Sequence, residues 1–247
     1  MLPRFRWEMP AAILPLPRPW PGGAGANGFP PSLSPAPVRA NLSPAMPTTS
    51  YRTAIVDYIR AQARPVDKFG HQPRLYHLAT QVGAGQSYDD DVVFAAAWLH
   101  DLGVFVGHRP EEPAALAAWD NTAYAMEKAP AILGPCGFPP DRIPAVVEAI
   151  RTHQPSASPT TLEGIILRDA DILEQLGAVG ILRMVCKIGR DTRYAFFADA
   201  LRTLQRSLDT LPGLLRLETA RRMAEPRVRH LRSFLEAATM EADREPL

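Results

Sequence analysis

Cysteine is scarce: Cys136 and Cys186 are the two in 247 residues, and no CxxC pair exists. That excludes a disulfide scaffold and fits a reduced, cytoplasmic protein. Net charge is missing too, since 27 Lys and Arg stand against 26 Asp and Glu, a formal +1. Such a chain has no bulk attraction for a nucleic-acid polymer or an anionic membrane, so neither is expected as a partner. No run approaches the roughly 18 uninterrupted apolar residues of a membrane span. Arg4 and Arg6 precede apolar residues, a faint secretory pattern, but Pro10, Pro15, Pro17, Pro19 and Pro21 break any apolar region there. Strand-like alternation persists nowhere.

What is present divides in two. Twelve of the 26 prolines lie in residues 1–47, among the glycine cluster GGAGANG and the stretch PPSLSPAP. This segment cannot bury enough apolar surface to offset its ordering entropy, and it is expected to be disordered. Met46 opens MPTTSYRTAIVDYIR, which reads as an ordinary protein start. The glycine cluster lacks GxxxxGK[ST] and is no phosphate loop.

From residue 48 to 247 the pattern is helical, and an all-α domain with a core of six to eight helices is expected. Ser50 is placed to cap a first helix. A second, starting near Pro73, carries Leu75, His77, Leu78 and Val82. Ser87 and Asp90 form a start signal for a third. Further helices are expected within 113–134, 139–153, 161–185 with a kink near Gly177 or Gly180, 192–209, and one or two within 213–242. The five arginines between Arg221 and Arg232 read as a solvated helix face.

The third helix ends in a conspicuous place. Val92, Val93, Phe94, Ala96, Ala97 and Leu99 leave it no polar face, yet it finishes in His100 and Asp101. Burying such groups without partners costs roughly 2–7 kcal/mol for a neutral polar group and more for a charge. His77 stands among apolar neighbours, and His153 continues the stripe of Ile143, Val146, Val147 and Ile150. Asp169 and Asp171 interrupt GIILRDADIL; two residues on a helix differ by about 200° of rotation, so one is a ligand candidate and the other supports it or lies at the surface. Imidazoles and carboxylates brought together suit a divalent first-row metal, with Mn, Fe, Co, Ni or Zn favoured over Mg, which prefers oxygen.

The order His, His-Asp, Asp on consecutive helices resembles the HD-domain superfamily of metal-dependent phosphohydrolases over roughly residues 50–190. HDLG follows His77 by 23 residues, and DADILEQLGAVGI resembles the D-A-D-R-L-D-A-x-G-A-x-G-I segment of one bacterial subgroup. The resemblance implies metal ligation by His77, His100, Asp101 and Asp171, the second Asp of the triplet. His71, near the start of the second helix, is not assigned as a ligand. Ile172 and Glu174 depart from the subgroup's Arg and Asp, at positions on the substrate side. Two-metal relatives keep two further histidines; AIRTHQP offers His153 for one, but Asn121 stands in place of the other. One metal ion per chain is therefore expected.

The resemblance implies a hydrolase that activates water on the metal and attacks a phosphorus centre in a nucleotide or small phosphate ester or anhydride. Metal binding can lower a water's pKa from 15.7 towards about 7. Asp101 is a candidate for proton handling as well as ligation. His153 is a candidate either for contact with substrate or with a ligand, or for metal ligation itself. His108 and Arg109, in the loop after the HD pair, are candidates to meet phosphate. The spacing assigns no role to Arg74 or Lys128. Other chemistry on the same site, by a hydratase or an oxygenase, and an inactive nucleotide sensor are the alternatives the resemblance carries.

Overall fold

The structure, a computed structural model, describes residues 50–242 other than Thr192 and the side chain of Asp67. The expected disordered segment over 1–47 lies outside the described residues, as does the start at Met46. Apart from an isolated bridge between Val106 and Arg109, the regular structure of the described residues is helical. It comprises α1 (Tyr51–Gln62), α2 (His71–Val82), α3 (Asp90–Leu99), α4 (Pro113–Ala117), α5 (Asn121–Leu133), α6 (Ile143–Arg151), α7 (Leu162–Gln175), α8 (Gly177–Val185), α9 (Phe197–Thr210) and α10 (Glu218–Glu241), with short 3-10 turns between some of them. No helix among the described residues is long and apolar enough to cross a membrane.

The helix α3 lies at the centre, packed by α1, α2, α6 and α7. Every residue from Val92 to Leu99 is buried, as its lack of a polar face requires. Its start is Asp89 rather than Ser87. The Asp89 carboxylate accepts from the amides of Asp91 and Val92, satisfying donors that the first turn leaves open. Arg52 and Arg142 pair with the acidic residues of this turn from α1 and from the turn ahead of α6.

Two boundaries differ from expectation in ways that move side chains. Helix α2 begins at His71, not near Pro73, because proline is tolerated in a helix's first turn where its missing N–H has no partner to lose. The stretch 161–185 breaks into α7 and α8 at Leu176, which is extended, and Gly177, whose φ of +73° favours glycine. Together with the separate α4, this raises the count to ten helices among the described residues.

Asp169 holds the C-terminal helix in place. It is fully buried, and its carboxylate accepts from the backbone amides of Arg216 and Leu217 at 3.2, 3.0 and 2.8 Å, just ahead of α10. Negative charge there also faces the positive end of the helix dipole. Asp169→Ala is expected to destabilise the fold by about 2–4 kcal/mol, since it removes the buried carboxylate that accepts from two backbone amides. Asp169→Asn keeps an acceptor and should lose less. Denaturant melts check this; an unchanged midpoint in the alanine variant would contradict it.

Candidate metal centre

Helical rotation decides which histidine of α2 faces inward. Leu75, Leu78, Ala79 and Val82 are buried. His71 sits four residues before Leu75 and seven before Leu78, on the same stripe. His77 is six residues from His71, about 240° around the helix, and so cannot share its direction. His71 is 6% exposed, whereas His77 is exposed with Nε2 3.1 Å from the Gln81 side chain. The expected ligand role of His77 is therefore corrected: His71 occupies the position that sequence reading gave to His77.

Three ligand-bearing side chains, His71, His100 and Asp101, place their donor atoms within 4.8 Å of one another. The two Nε2 atoms are 3.2 Å apart. Asp101 Oδ2 lies 3.6 Å from His71 Nε2 and 3.5 Å from His100 Nε2. From α7, Asp171 Oδ1 comes within 3.6 Å of His71 Nε2, while its Oδ2 accepts from Gln175 at 3.2 Å. Asp171 thus joins the cluster, and Asp169 points away to α10.

Proton placement shows what the cluster lacks. His100 Nδ1 is 3.0 Å from the Ala97 carbonyl, which can only accept, so Nδ1 carries the proton. His71 Nδ1 is 3.3 Å from Glu174 Oε2. Burial opposes ionisation of Glu174, but hydrogen bonds from His71 and Arg74 and the charge of Arg183 bring it down to about 2, so it too accepts. Both Nε2 atoms then present lone pairs to each other and to two carboxylates. Burial pushes His71 below the ordinary imidazole pKa, which disfavours filling the gap with a proton. Four acceptors converge with no side-chain donor between them, an arrangement that could hold a cation.

The donor set fits one. Ligands about 2.1 Å from one ion, at angles between 90° and tetrahedral, are about 3.0–3.4 Å apart. The spacings of 3.2–3.6 Å are close to that range. Burial opposes ionisation of Asp101, yet the imidazoles of His100, His71 and His153 and the Arg183 guanidinium hold its carboxyl well below the usual range.

The remaining candidates are distributed unevenly. His153 is 2% exposed and its ring lies edge-on to His100, 4.9 Å between centroids. Its Nδ1 donates to the Ile150 carbonyl at 2.6 Å, leaving Nε2 bare apart from the Gln154 amide at 3.3 Å. His108 is not brought into the cluster: its ring nitrogens are engaged by Tyr124 Oη and Gln62 Oε1, each at 2.9 Å. Arg109 is held through its backbone, bridging to Val106. Asn121 begins α5 with its backbone against the turn after Asp101, where a Cβ on Gly103 would fall 2.7 Å from the Asn121 carbonyl. Glu174 is not on a substrate side; it is buried behind His71, with Arg74 and Arg183 on its carboxylate.

Asp101, Glu174 and Asp191 all have depressed pKa values, so the unfolded chain binds more protons than the folded one in acid. Their stabilisation is present above about pH 4.5 and is lost as pH falls towards 2. Melting temperature in chelator is expected to fall as the pH is lowered from about 4.5 to 3. A flat profile would contradict these ion pairs.

The HD domain family matches residues 69–176. Among solved structures, a predicted HD superfamily hydrolase from an uncultured Thermotogales bacterium is 27% identical, with a TM-score of 0.53 over 76% of this chain and 90% of that one. Bacillus subtilis YpgQ, in complex with ADP, is 22% identical with a TM-score of 0.59 over 77% and 94%. An HD-superfamily hydrolase from Bacillus thuringiensis is 22% identical with a TM-score of 0.58 over 79% and 97%. A search of curated proteins finds no match.

Proposed function

From the premise that this chain is a member of the HD-domain superfamily, we propose that it is a metal-dependent phosphohydrolase acting on a nucleotide or small phosphate ester or anhydride. The observation that carries the reading is the acceptor-only convergence of His71, His100, Asp101 and Asp171. When bound there, a divalent ion of the Mn to Zn series supplies Lewis acidity and lowers the pKa of a coordinated water towards about 7. One ion per chain is proposed, because Asn121 offers only a neutral amide where a second site would need an imidazole.

The chain's own groups divide the remaining work. His71 and His100 offer Nε2, with their Nδ1 protons committed elsewhere. Asp101 stays ionised and serves as ligand rather than proton acceptor, since a carboxyl held so low is a weak base. His153, whose Nε2 meets only the Gln154 amide, is the group placed to take a proton or hold a substrate oxygen. Arg183 and Arg74 supply guanidinium charge behind the centre, where both are paired with Glu174. A nucleotide is favoured by likeness to YpgQ, whose structure contains ADP. The substrate is a small molecule, with no nucleic-acid polymer or membrane as partner.

The test is phosphate or pyrophosphate release from nucleoside di- and triphosphates, pyrophosphate and an aryl phosphate. Chelator-treated protein is compared with protein resupplied with Mn²⁺, Co²⁺, Ni²⁺, Zn²⁺ or Mg²⁺. Metal-dependent release from at least one compound is expected. Retained metal with no release from any would turn the reading to non-phosphate chemistry.

A further inference from the structure

Asp171 and Glu174 are three residues apart on α7, about 60° from alignment, and so share the face that packs on α2. Between them stands the His71 imidazole. Asp171 Oδ1 is 3.6 Å from Nε2 on one side, and Glu174 Oε2 is 3.3 Å from Nδ1 on the other. Glu174 is 3% exposed and is further anchored by Arg74 Nε at 3.0 Å and Arg183 Nη1 at 2.8 Å. Burying such a charged group brings little net stability, because desolvation offsets the pairing. Its geometry serves another end: a fixed acceptor on Nδ1 sets the tautomer and the ring direction of a metal-binding histidine.

We infer that Glu174 is the positioning residue of the metal centre, holding His71 as the Nδ1–H tautomer with Nε2 turned into the cluster. The inference rests on the metal reading above. The two arginines hold the Glu174 carboxylate in place, so the orienting bond does not depend on the ion being present. His100 needs no such residue, because its Nδ1 is fixed by the Ala97 carbonyl within its own helix turn. His71 lies in the first turn of α2, and its Nδ1 takes its partner from another helix.

The experiment measures Zn²⁺ and Co²⁺ affinity of the full chain by competition with a chromophoric chelator, alongside the melting temperature of the metal-free protein. Glu174→Leu is expected to weaken binding by about 10–100-fold. Glu174→Gln, which retains an oxygen acceptor for Nδ1–H, should stay within a few-fold of the parent chain. Equal affinity in the parent and the leucine variant overturns the inference, as does a glutamine variant as weak as the leucine one. Should Glu174→Leu fail to fold, the His71 tautomer in the unsubstituted, metal-free chain decides, read from long-range ¹H–¹⁵N couplings. Nδ1–H supports the inference and Nε2–H overturns it. His100→Ala runs in parallel: if it binds metal like the parent chain, the metal reading itself fails, whereas loss there with no effect at Glu174 sinks only this inference.

Discussion

His100→Ala and Asp101→Ala are each expected to abolish metal retention and to lower kcat/KM by about a thousandfold or more, beyond the roughly 10–100-fold that losing a ligand's supporting partner costs. Each removes one donor from a group whose atoms lie within 4.8 Å of one another. A second signature separates this from unfolding. Metal that binds only the folded state raises stability by mass action, about 2.7 kcal/mol at a hundredfold excess over Kd. The parent chain's melting temperature should rise on adding metal, and that rise should vanish in both variants. In the metal-free state the cost of His100→Ala is partly offset, because one of two lone pairs facing each other at 3.2 Å is gone. Full metal occupancy with undiminished turnover in either variant would remove the assignment.

The next largest contrast lies within one helix. His71→Ala should behave like His100→Ala, losing metal and turnover. His77→Ala should keep both, with stability within about 0.5 kcal/mol of the parent chain, as for an exposed position. Metal content and phosphate release on the two purified variants check this. The reverse pattern would place His77 inside the bundle and contradict the described packing of α2.

That contrast also marks how far the sequence could be read. The all-α class followed from the missing alternation. The apolar run of α3 ending in His100-Asp101 announced a buried polar pair that needed a partner. Asp171 came from resemblance, since rotation alone left it open against Asp169. A start near Pro73 leaves the rotation of His71 undefined, whereas α2 begins at His71 and turns it inward. The spacing of 71, 75, 78 and 82 was available as a signal, being a continuous i, i+4, i+7, i+11 stripe that excludes 77. Asp169 could not have been read, because its partners are backbone amides 47 and 48 residues away. The role of Glu174 was equally hidden, since a carboxylate three residues past Asp171 looks the same facing substrate or facing the back of a histidine. His108 looked available in its loop because nothing local shows that Gln62 and Tyr124 hold both ring nitrogens.

The central claim is that His71, His100, Asp101 and Asp171 together hold a single divalent ion. Counting metal by mass spectrometry on the full-length chain tests it most directly, after loading with Mn²⁺, Co²⁺ or Zn²⁺ and exhaustive dialysis, with Asp171→Ala and His71→Ala treated alike. The expected result is about one equivalent per chain in the parent protein and close to none in the two variants. No retained metal in the parent chain, a reproducible two equivalents, or undiminished retention when Asp171 or His71 is removed would contradict it.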